Sequence, residues 1–221
     1  MIKYKNLYLI GTSHISRESV EEVEKTILKV KPRFVALELD KRRLRLLEDK
    51  TQSRLRLRDV KSLGIKGFLL NLIGAWFEKR MGKKVGIEPG SEMKKAIELS
   101  RQFNIHLVLI DQDIKFTITK FLSRITRREK LKFLKDLIFS REDVSLDIKK
   151  VPNQKEIRKI ITKIKKDYPS FYLTIIKERN EYMAQNLYNL MQKYPENNIV
   201  GVVGAGHEKE IVGEIKLQEK I

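Results

Sequence analysis

Two Gly-x-x-His motifs lie near opposite ends of the chain, at Gly11–His14 and Gly204–His207. Each follows a short apolar run that is typical of a buried strand. Functional residues in open α/β sheets gather at the carboxyl ends of strands, and glycine lets the backbone approach a ligand closely. The chain has only 3 histidines, so the repetition predicts two halves of one site. The alternative is a pair of structural turns whose histidines cap a helix or bind a carbonyl group.

Glu38 strengthens the functional interpretation. It lies in the otherwise apolar segment 34–39, which predicts a strand. A buried carboxylate needs a partner, so one alternative is an ion pair with an arginine at the end of the strand. The other is a metal ligand or general base, because two histidines and one glutamate are a common set for zinc or another divalent metal. The chain has no cysteine. We therefore expect a divalent metal, Zn, Mn or Co, bound by His14, His207 and Glu38.

Other polar residues could join this site: Glu88, Glu92, Asp111, Asp113 and Arg179. Asp111 and Asp113 follow a predicted strand at 105–110, whereas Glu92 has an alternative place in the first turn of a helix. Arg179 could bind a substrate carboxylate or phosphate, or stabilise developing negative charge. The alternative for Arg179 is an exposed salt bridge on a helix. His106 lies within the predicted strand, which favours a structural role.

The elements that would position these residues alternate between strands and helices. A strand at 7–10, a helix at 17–30 capped by Ser16, and the strand at 34–39 form a crossover unit, which favours parallel pairing. A helix capped by Ser91 is expected to end near residue 103. After the strand at 105–110, a long helix is predicted at 171–193 and a last strand at 199–203. The pattern predicts an α/β fold with a mixed central sheet flanked by helices.

The positive charge lies in two segments of the chain. The formal net charge is +18, and residues 41–84 and 115–170 carry the excess. Both segments have helical patterns. We expect a single domain over 1–221, in which these two inserted basic helical segments form a cap or lid. Basic amphipathic helices suit an anionic membrane surface. Nucleic acid would also be attracted, but it is disfavoured because no recognition motif accompanies the charge.

Several classes of function lose support from missing motifs. The sequence contains no Gly-x-Gly-x-x-Gly or Walker-type phosphate loop, no Gly-x-Ser-x-Gly elbow and no His-Glu-x-x-His motif. No secretory signal or membrane-spanning run is evident, so a cytoplasmic protein is expected, with membrane association at most through its surface. The apolar run at 68–77 would need cover from the core, a second subunit or lipid, and a homo-oligomer is therefore one expectation.

Six segments of the chain resemble the TraB/PrgY (pheromone-shutdown) family in sequence and in order. They are Leu9–Ser16, Leu37–Arg43, Glu92–Glu98, Leu109–Ile114, Glu178–Ala184 and Val202–His207. The family is grouped with GumN-like, Tiki and erythromycin-esterase/ChaN-like proteins. The resemblance implies a core of two related halves and a metal-dependent hydrolytic site containing His14, His207, Glu38 and Arg179. The Glu-Leu-Asp-x-x-Arg pattern adds Arg43 as a candidate catalytic residue.

The chain departs from the family pattern in two places. Members often have an arginine where this chain has Gln112, and many continue into a hydrophobic membrane-spanning region that this sequence lacks. The resulting expectation is a metal-dependent hydrolase, peptidase-like, that acts on a peptide or small molecule. Its catalytic candidates are Glu38, Arg179 and Arg43, and further site candidates are Gly11, Gly204, Glu92 and Asp111. The alternative is a non-catalytic module of the TraB/PrgY type that sequesters a peptide or binds a membrane surface.

Overall fold

The computed structural model describes residues 1–12, 17–48, 90–139 and 154–220. The elements in chain order are β1 (Ile2–Tyr4), β2 (Leu7–Thr12), α1 (Arg17–Val30), β3 (Phe34–Leu37), α2 (Lys41–Glu48), α3 (Ser91–Gln102), β4 (His106–Leu109), α4 (Ile114–Arg124), α5 (Arg127–Phe139), α6 (Gln154–Asp167), α7 (Pro169–Phe171), a π-helix (Tyr172–Lys177), α8 (Glu178–Lys193), β5 (Ile199–Gly204) and α9 (Glu208–Gln218). His14, the predicted helix cap Ser16, Glu88 and the apolar run 68–77 lie outside the described residues.

The five strands form one mixed sheet in the order β1-β2-β5-β3-β4. Strands β2, β5, β3 and β4 are parallel, and β1 pairs antiparallel with β2 at one edge. The last strand in sequence, β5, therefore lies between β2 and β3, which are linked through α1. All four parallel strands end at the same edge of the sheet, which confirms the predicted mixed α/β architecture.

Helices cover both faces of this sheet, as its buried strands require. On one face, α8 and α9 pack Met183, Leu187, Ile211 and Ile215 against the strands. On the other face, α1 and α3 contribute Val23, Ile27, Met93 and Ala96. Because β3 and β5 are covered on both sides, every residue of these two strands is buried.

The structure corrects several predicted boundaries. Strand β2 continues through Gly11 and Thr12, so the first motif glycine lies inside the strand. Strand β3 ends at Leu37, and Glu38 follows it, although the Glu38 N–H still donates to the Val202 carbonyl at 3.0 Å. The residue that precedes α3 is Gly90, in the left-handed conformation, and not Ser91. The predicted cap was therefore wrong, because Ser91 is already helical.

The long helix predicted at 171–193 contains a change of helical type. Residues Tyr172–Lys177 form a π-helix, which passes into α8 at Glu178. Periodicity alone does not predict this change, because one wider turn shifts the register by a single residue. The site residue Arg179 lies in the first turn of α8, directly after the π-helix.

The two basic segments are mostly helical where they are described, with short breaks at Ile125–Thr126 and at Tyr168. The first contributes α2, and the second contributes α4, α5 and α6. The structure describes no helix that is both long enough and apolar enough to cross a membrane.

Candidate functional site at the carboxyl edge of the sheet

The two Gly-x-x-His motifs begin on neighbouring strands. In the parallel pair β2–β5, Gly11 is in register with Val203, and Thr12 with Gly204. The Ala205 N–H donates to the Thr12 carbonyl at 2.8 Å, which joins the two motifs directly. Segments that are more than 190 residues apart in sequence therefore meet at one edge of the sheet.

Glu38 lies at the same edge, buried just beyond β3. Its Oε2 atom accepts a hydrogen bond from the Gly204 N–H at 2.6 Å. Its Oε1 atom accepts one from Arg179 Nη2, also at 2.6 Å. One bond from the backbone of the second motif and one from a guanidinium thus hold the carboxylate in a single orientation.

Arg179 reaches this edge from α8 and is buried. Its Nε and Nη2 atoms donate to the two carboxylate oxygens of Asp111 at 3.1 and 2.5 Å, and Nη1 donates to the Ile175 carbonyl at 3.2 Å. Burial alone would lower the pKa of Arg179, but the carboxylates of Glu38 and Asp111 outweigh burial and raise the pKa above its ordinary value. Arg179 is therefore a permanent cation, and the alternative of an exposed salt bridge is wrong.

Arg43 forms a second link to Asp111. It donates from Nη2 to the same Asp111 Oδ2 atom and from Nε to Asp40 Oδ2 at 3.1 Å. Burial alone would raise the pKa of Asp40, but the backbone N–H groups of Arg43 and Arg42 and the Arg43 charge lower it overall. The Arg43 side chain is 27% exposed, against 11% for Arg179. Of the two arginines, Arg43 is the more accessible from solvent.

His207 stands beside Glu38 at the end of the second motif. Its Nε2 atom lies 3.6 Å from Glu38 Oε1. Its Nδ1 atom lies 2.5 Å from Asn180 Oδ1, and the other end of that amide, Nδ2, donates to Glu210 Oε2 at 2.5 Å. The ring is thus placed between a carboxylate of the sheet edge and a side-chain amide of α8.

Two further carboxylates lie beside Gly11 and Thr12 of the first motif. Thr12 Oγ1 lies 3.4 Å from Glu92 Oε1, and both residues are buried. A β-carbon added to Gly11 would stand 2.4 Å from Glu208 Oε2 and 3.1 Å from Ala205 Cα. A side chain at position 11 would therefore displace the buried Glu208 carboxylate of α9 and press on the Ala205 backbone.

The remaining candidates lie elsewhere. Asp113 is the N-cap of α4, where its side chain accepts from the Lys115 N–H at 2.7 Å. His106 begins β4 at the opposite edge of the sheet, where its ring stacks on Phe34 with centroids 5.6 Å apart. Asp113 therefore has a helix-capping role, and His106 is remote from the candidate site.

Asn180 was not among the predicted site residues, although its position carried a signal. It is 1% exposed on the buried face of α8, and Met183, Ala184 and Leu187 follow at helical spacing. A polar residue at a core position of an amphipathic helix needs a hydrogen-bonding partner there. No comparable sequence signal marks Glu210, which lies in the first turn of α9.

The predicted metal site lies only partly within the described residues. In the part of the chain that is described, no group of three or more His, Cys, Asp or Glu side chains could hold a metal ion. Of the three predicted ligands, Glu38 and His207 are within this part and adjacent, and His14 lies outside it.

Comparison with known proteins gives one consistent result. The model of the TraB/PrgY/gumN family matches residues 3–220. The chain is 39% identical to an uncharacterized protein, MJ1365, of Methanocaldococcus jannaschii over 97% of its own length and 54% of that protein. TraB domain-containing proteins of Bos taurus and Homo sapiens are 26% and 25% identical, each over 96% of this chain and 64% of the relative. The chain thus spans between half and two thirds of the relatives that it matches.

Proposed function

Because the chain belongs to the TraB/PrgY/gumN family, we propose that its sheet-edge site is that of a metal-dependent hydrolase, acting on peptide bonds. Glu38 and His207 bind the divalent cation, and His14 of the first motif is the third ligand. The observation that carries the proposal is the separation of 3.6 Å between His207 Nε2 and Glu38 Oε1.

This separation suits two ligands of one cation. Nitrogen and carboxylate oxygen bind zinc at about 2.0–2.2 Å, so two such ligands in a tetrahedral arrangement stand about 3.4 Å apart. The donor set, imidazole with carboxylate, also suits Mn and Co. A third ligand from the Gly11–His14 motif is consistent with the pairing of β2 and β5, because Gly11 and Thr12 lie beside Val203 and Gly204.

The charges of the buried network also favour a cation. Three carboxylates, Glu38, Asp40 and Asp111, face two guanidinium groups, Arg43 and Arg179. These five groups sum to one negative charge, and electrostatic interactions are strong where water is excluded. A bound divalent cation would supply polarisation of the scissile carbonyl and a water of lowered pKa.

The two arginines take different roles in this proposal. Arg179 has four of its five N–H donors directed to Asp111, Glu38 and Ile175, so it holds the glutamate in place. Arg43 is more exposed and keeps donors on Nη1 beyond its bonds to Asp40 and Asp111. We therefore assign stabilisation of the developing negative charge to Arg43 and positioning of Glu38 to Arg179.

Metal content tests the ligand set. The wild-type chain, purified without chelators, is compared with His207→Ala, Glu38→Gln and His14→Ala by inductively coupled plasma mass spectrometry. His106→Ala is the matched control, because His106 lies at the other edge of the sheet. We expect stoichiometric metal in the wild type and the control, and loss of most of it in the other three variants. Equal metal content in His207→Ala and wild type overturns the proposal.

Hydrolysis needs its own assay, with a peptide library incubated with metal-loaded protein and read by mass spectrometry. Cleavage that disappears in Glu38→Gln and His207→Ala supports the proposal. If the metal-loaded protein retains peptides without cleaving them, the proposal of hydrolysis is overturned and the peptide-sequestering alternative remains. Arg43→Met should lower kcat more than it raises KM while metal content stays unchanged.

A further inference from the structure

We propose that Asn180, oriented by Glu210, is a positioning residue that holds His207 as the Nδ1–H tautomer, so that the lone pair of the neutral ring lies on Nε2, toward Glu38. The tautomer follows from hydrogen bonding alone. The role of this tautomer in binding a cation rests on the proposed function. The experiment tests the tautomer and the metal site separately.

The orientation of the Asn180 amide is decided by Glu210. A carboxylate only accepts hydrogen bonds, so the amide must turn its NH₂ group toward Glu210 Oε2, 2.5 Å away. The amide oxygen then faces His207 Nδ1, also at 2.5 Å. An amide oxygen only accepts, which makes Nδ1 the protonated nitrogen of the ring.

The other ring nitrogen agrees with this assignment. Nε2 lies 3.6 Å from Glu38 Oε1, which is too long for a hydrogen bond between them. The geometry therefore places the proton of the neutral ring on the side of Asn180.

The fold holds the orienting pair firmly. Asn180 is 1% exposed in α8, which packs closely on α9. His207 is the N-cap of α9 and Glu210 lies three residues later, so their side chains lie on the same side of the helix. The N-terminal end of α9 thus carries both the imidazole of His207 and the carboxylate of Glu210, which orients Asn180 toward that imidazole. Metal-binding histidines commonly donate their second N–H in this way, and loss of the acceptor costs about 10–100-fold in affinity.

The tautomer can be measured directly because the chain has only 3 histidines. The full chain is labelled with ¹⁵N-histidine, stripped with EDTA, and studied at mildly alkaline pH by long-range ¹H–¹⁵N correlation spectroscopy. His106→Ala and His207→Ala assign the signals. We expect His207 to show a protonated Nδ1 and an unprotonated Nε2 in the wild type. A protonated Nε2 there overturns the proposal.

Two variants test the cause. Asn180→Leu removes the acceptor and should shift His207 toward the Nε2–H form. Glu210→Ala, at a half-buried position with less risk to folding, should produce a mixture of both forms. The double variant Asn180→Asp with Glu210→Gln restores an acceptor toward Nδ1 and should restore the wild-type spectrum. An unchanged tautomer in both single variants would show that Asn180 has no such role.

Metal affinity separates this inference from the proposed function. Zinc titration of the same samples should show affinity reduced about 10–100-fold in Asn180→Leu and recovered in the double variant. If wild type has the Nδ1–H tautomer but binds no zinc, the metal-site proposal fails and the positioning role stands. If zinc binds through His207 while the tautomer is Nε2–H in the metal-free protein, the positioning role fails.

Discussion

The guanidinium of Arg179 binds the carboxylate of Asp111 through two hydrogen bonds, from Nε to Oδ1 at 3.1 Å and from Nη2 to Oδ2 at 2.5 Å. This pair joins α8 to the end of β4, and the same Nη2 atom reaches Glu38 beyond β3. One buried cation therefore fixes two strand ends relative to one helix. The relationship makes Arg179 important for stability as well as for the site.

Replacement of Arg179 by methionine should lower the free energy of unfolding by about 3–5 kcal/mol, because it leaves two buried carboxylates without their shared cation. Urea unfolding followed by circular dichroism measures the change. Lys177→Met is the control, since Lys177 forms an exposed pair with Glu181 at 2.9 Å, and it should leave stability unchanged. A similar unfolding midpoint for Arg179→Met and wild type would contradict the structural role.

Gly11→Ala should destabilise the protein by about 1–3 kcal/mol, since the new methyl group overlaps the Glu208 carboxylate and approaches the Ala205 backbone. Gly213→Ala is the matched control in α9, where an added β-carbon meets nothing within 4 Å. That substitution should stabilise the helix by about 0.5–1 kcal/mol. Thermal unfolding of the two variants should shift in opposite directions, and a shift in the same direction would refute the packing argument.

Glu129 should make stability depend on pH. Its carboxylate caps α5 through Thr126 and also accepts from the Ser170 N–H and hydroxyl. Burial alone would raise the pKa of Glu129, but these hydrogen bonds outweigh burial and lower the pKa below its ordinary value of 4.5.

Because the pKa of Glu129 is lower in the folded chain than in the unfolded chain, ionised Glu129 stabilises the folded state at pH values above the unfolded pKa. This stabilisation is lost as the pH falls through the folded-state pKa. Glu129→Gln should therefore cost about 1–2 kcal/mol at pH 7, and the difference from wild type should vanish in strong acid. Urea titrations across this range measure it, with Glu181→Gln as an exposed control. A difference that grows on acidification would show that the sign is wrong.

Metal should stabilise the folded chain if the proposed site is correct. A ligand at 100 times its Kd adds about 2.7 kcal/mol, which raises the melting temperature of a chain of this size by roughly 5–10 °C. Differential scanning fluorimetry with zinc, and after EDTA, measures the shift. His207→Ala should show little of it and His106→Ala all of it. Equal shifts in both would mean that zinc binds elsewhere.

Much of this architecture could be predicted from local patterns. Apolar runs at 7–10, 34–39, 105–110 and 199–203 marked four strands, and the stripe of α1 marked a helix. These signals are local because burial of one or both faces of a helix or strand places apolar residues at regular intervals along the sequence. The short strand β1 and the π-helix were not predicted, since three residues or one shifted turn leave no periodic signal.

The candidate site was only partly visible in the sequence. Gly11, Gly204, Glu38 and Asp111 stood out because polar or turn-forming residues at the ends of apolar runs are conspicuous. Arg179 stood out on a helix, through the resemblance to the family. Their partners were not: Arg179 lies 141 residues from Glu38, and Asn180 lies 27 from His207. Hydrogen bonds act over about 3 Å, so pattern alone cannot select one donor for a given carboxylate.

By itself, the sequence thus determined the residue types at the strand ends and the alternation of strands and helices, which depend on neighbours along the chain. The tertiary structure decided that β5 lies between β2 and β3 and thereby brings the second motif beside the first. It also decided that Glu210 orients Asn180 toward His207. These relationships arise from contacts between helices and strands distant in sequence, where geometry alone selects the partner.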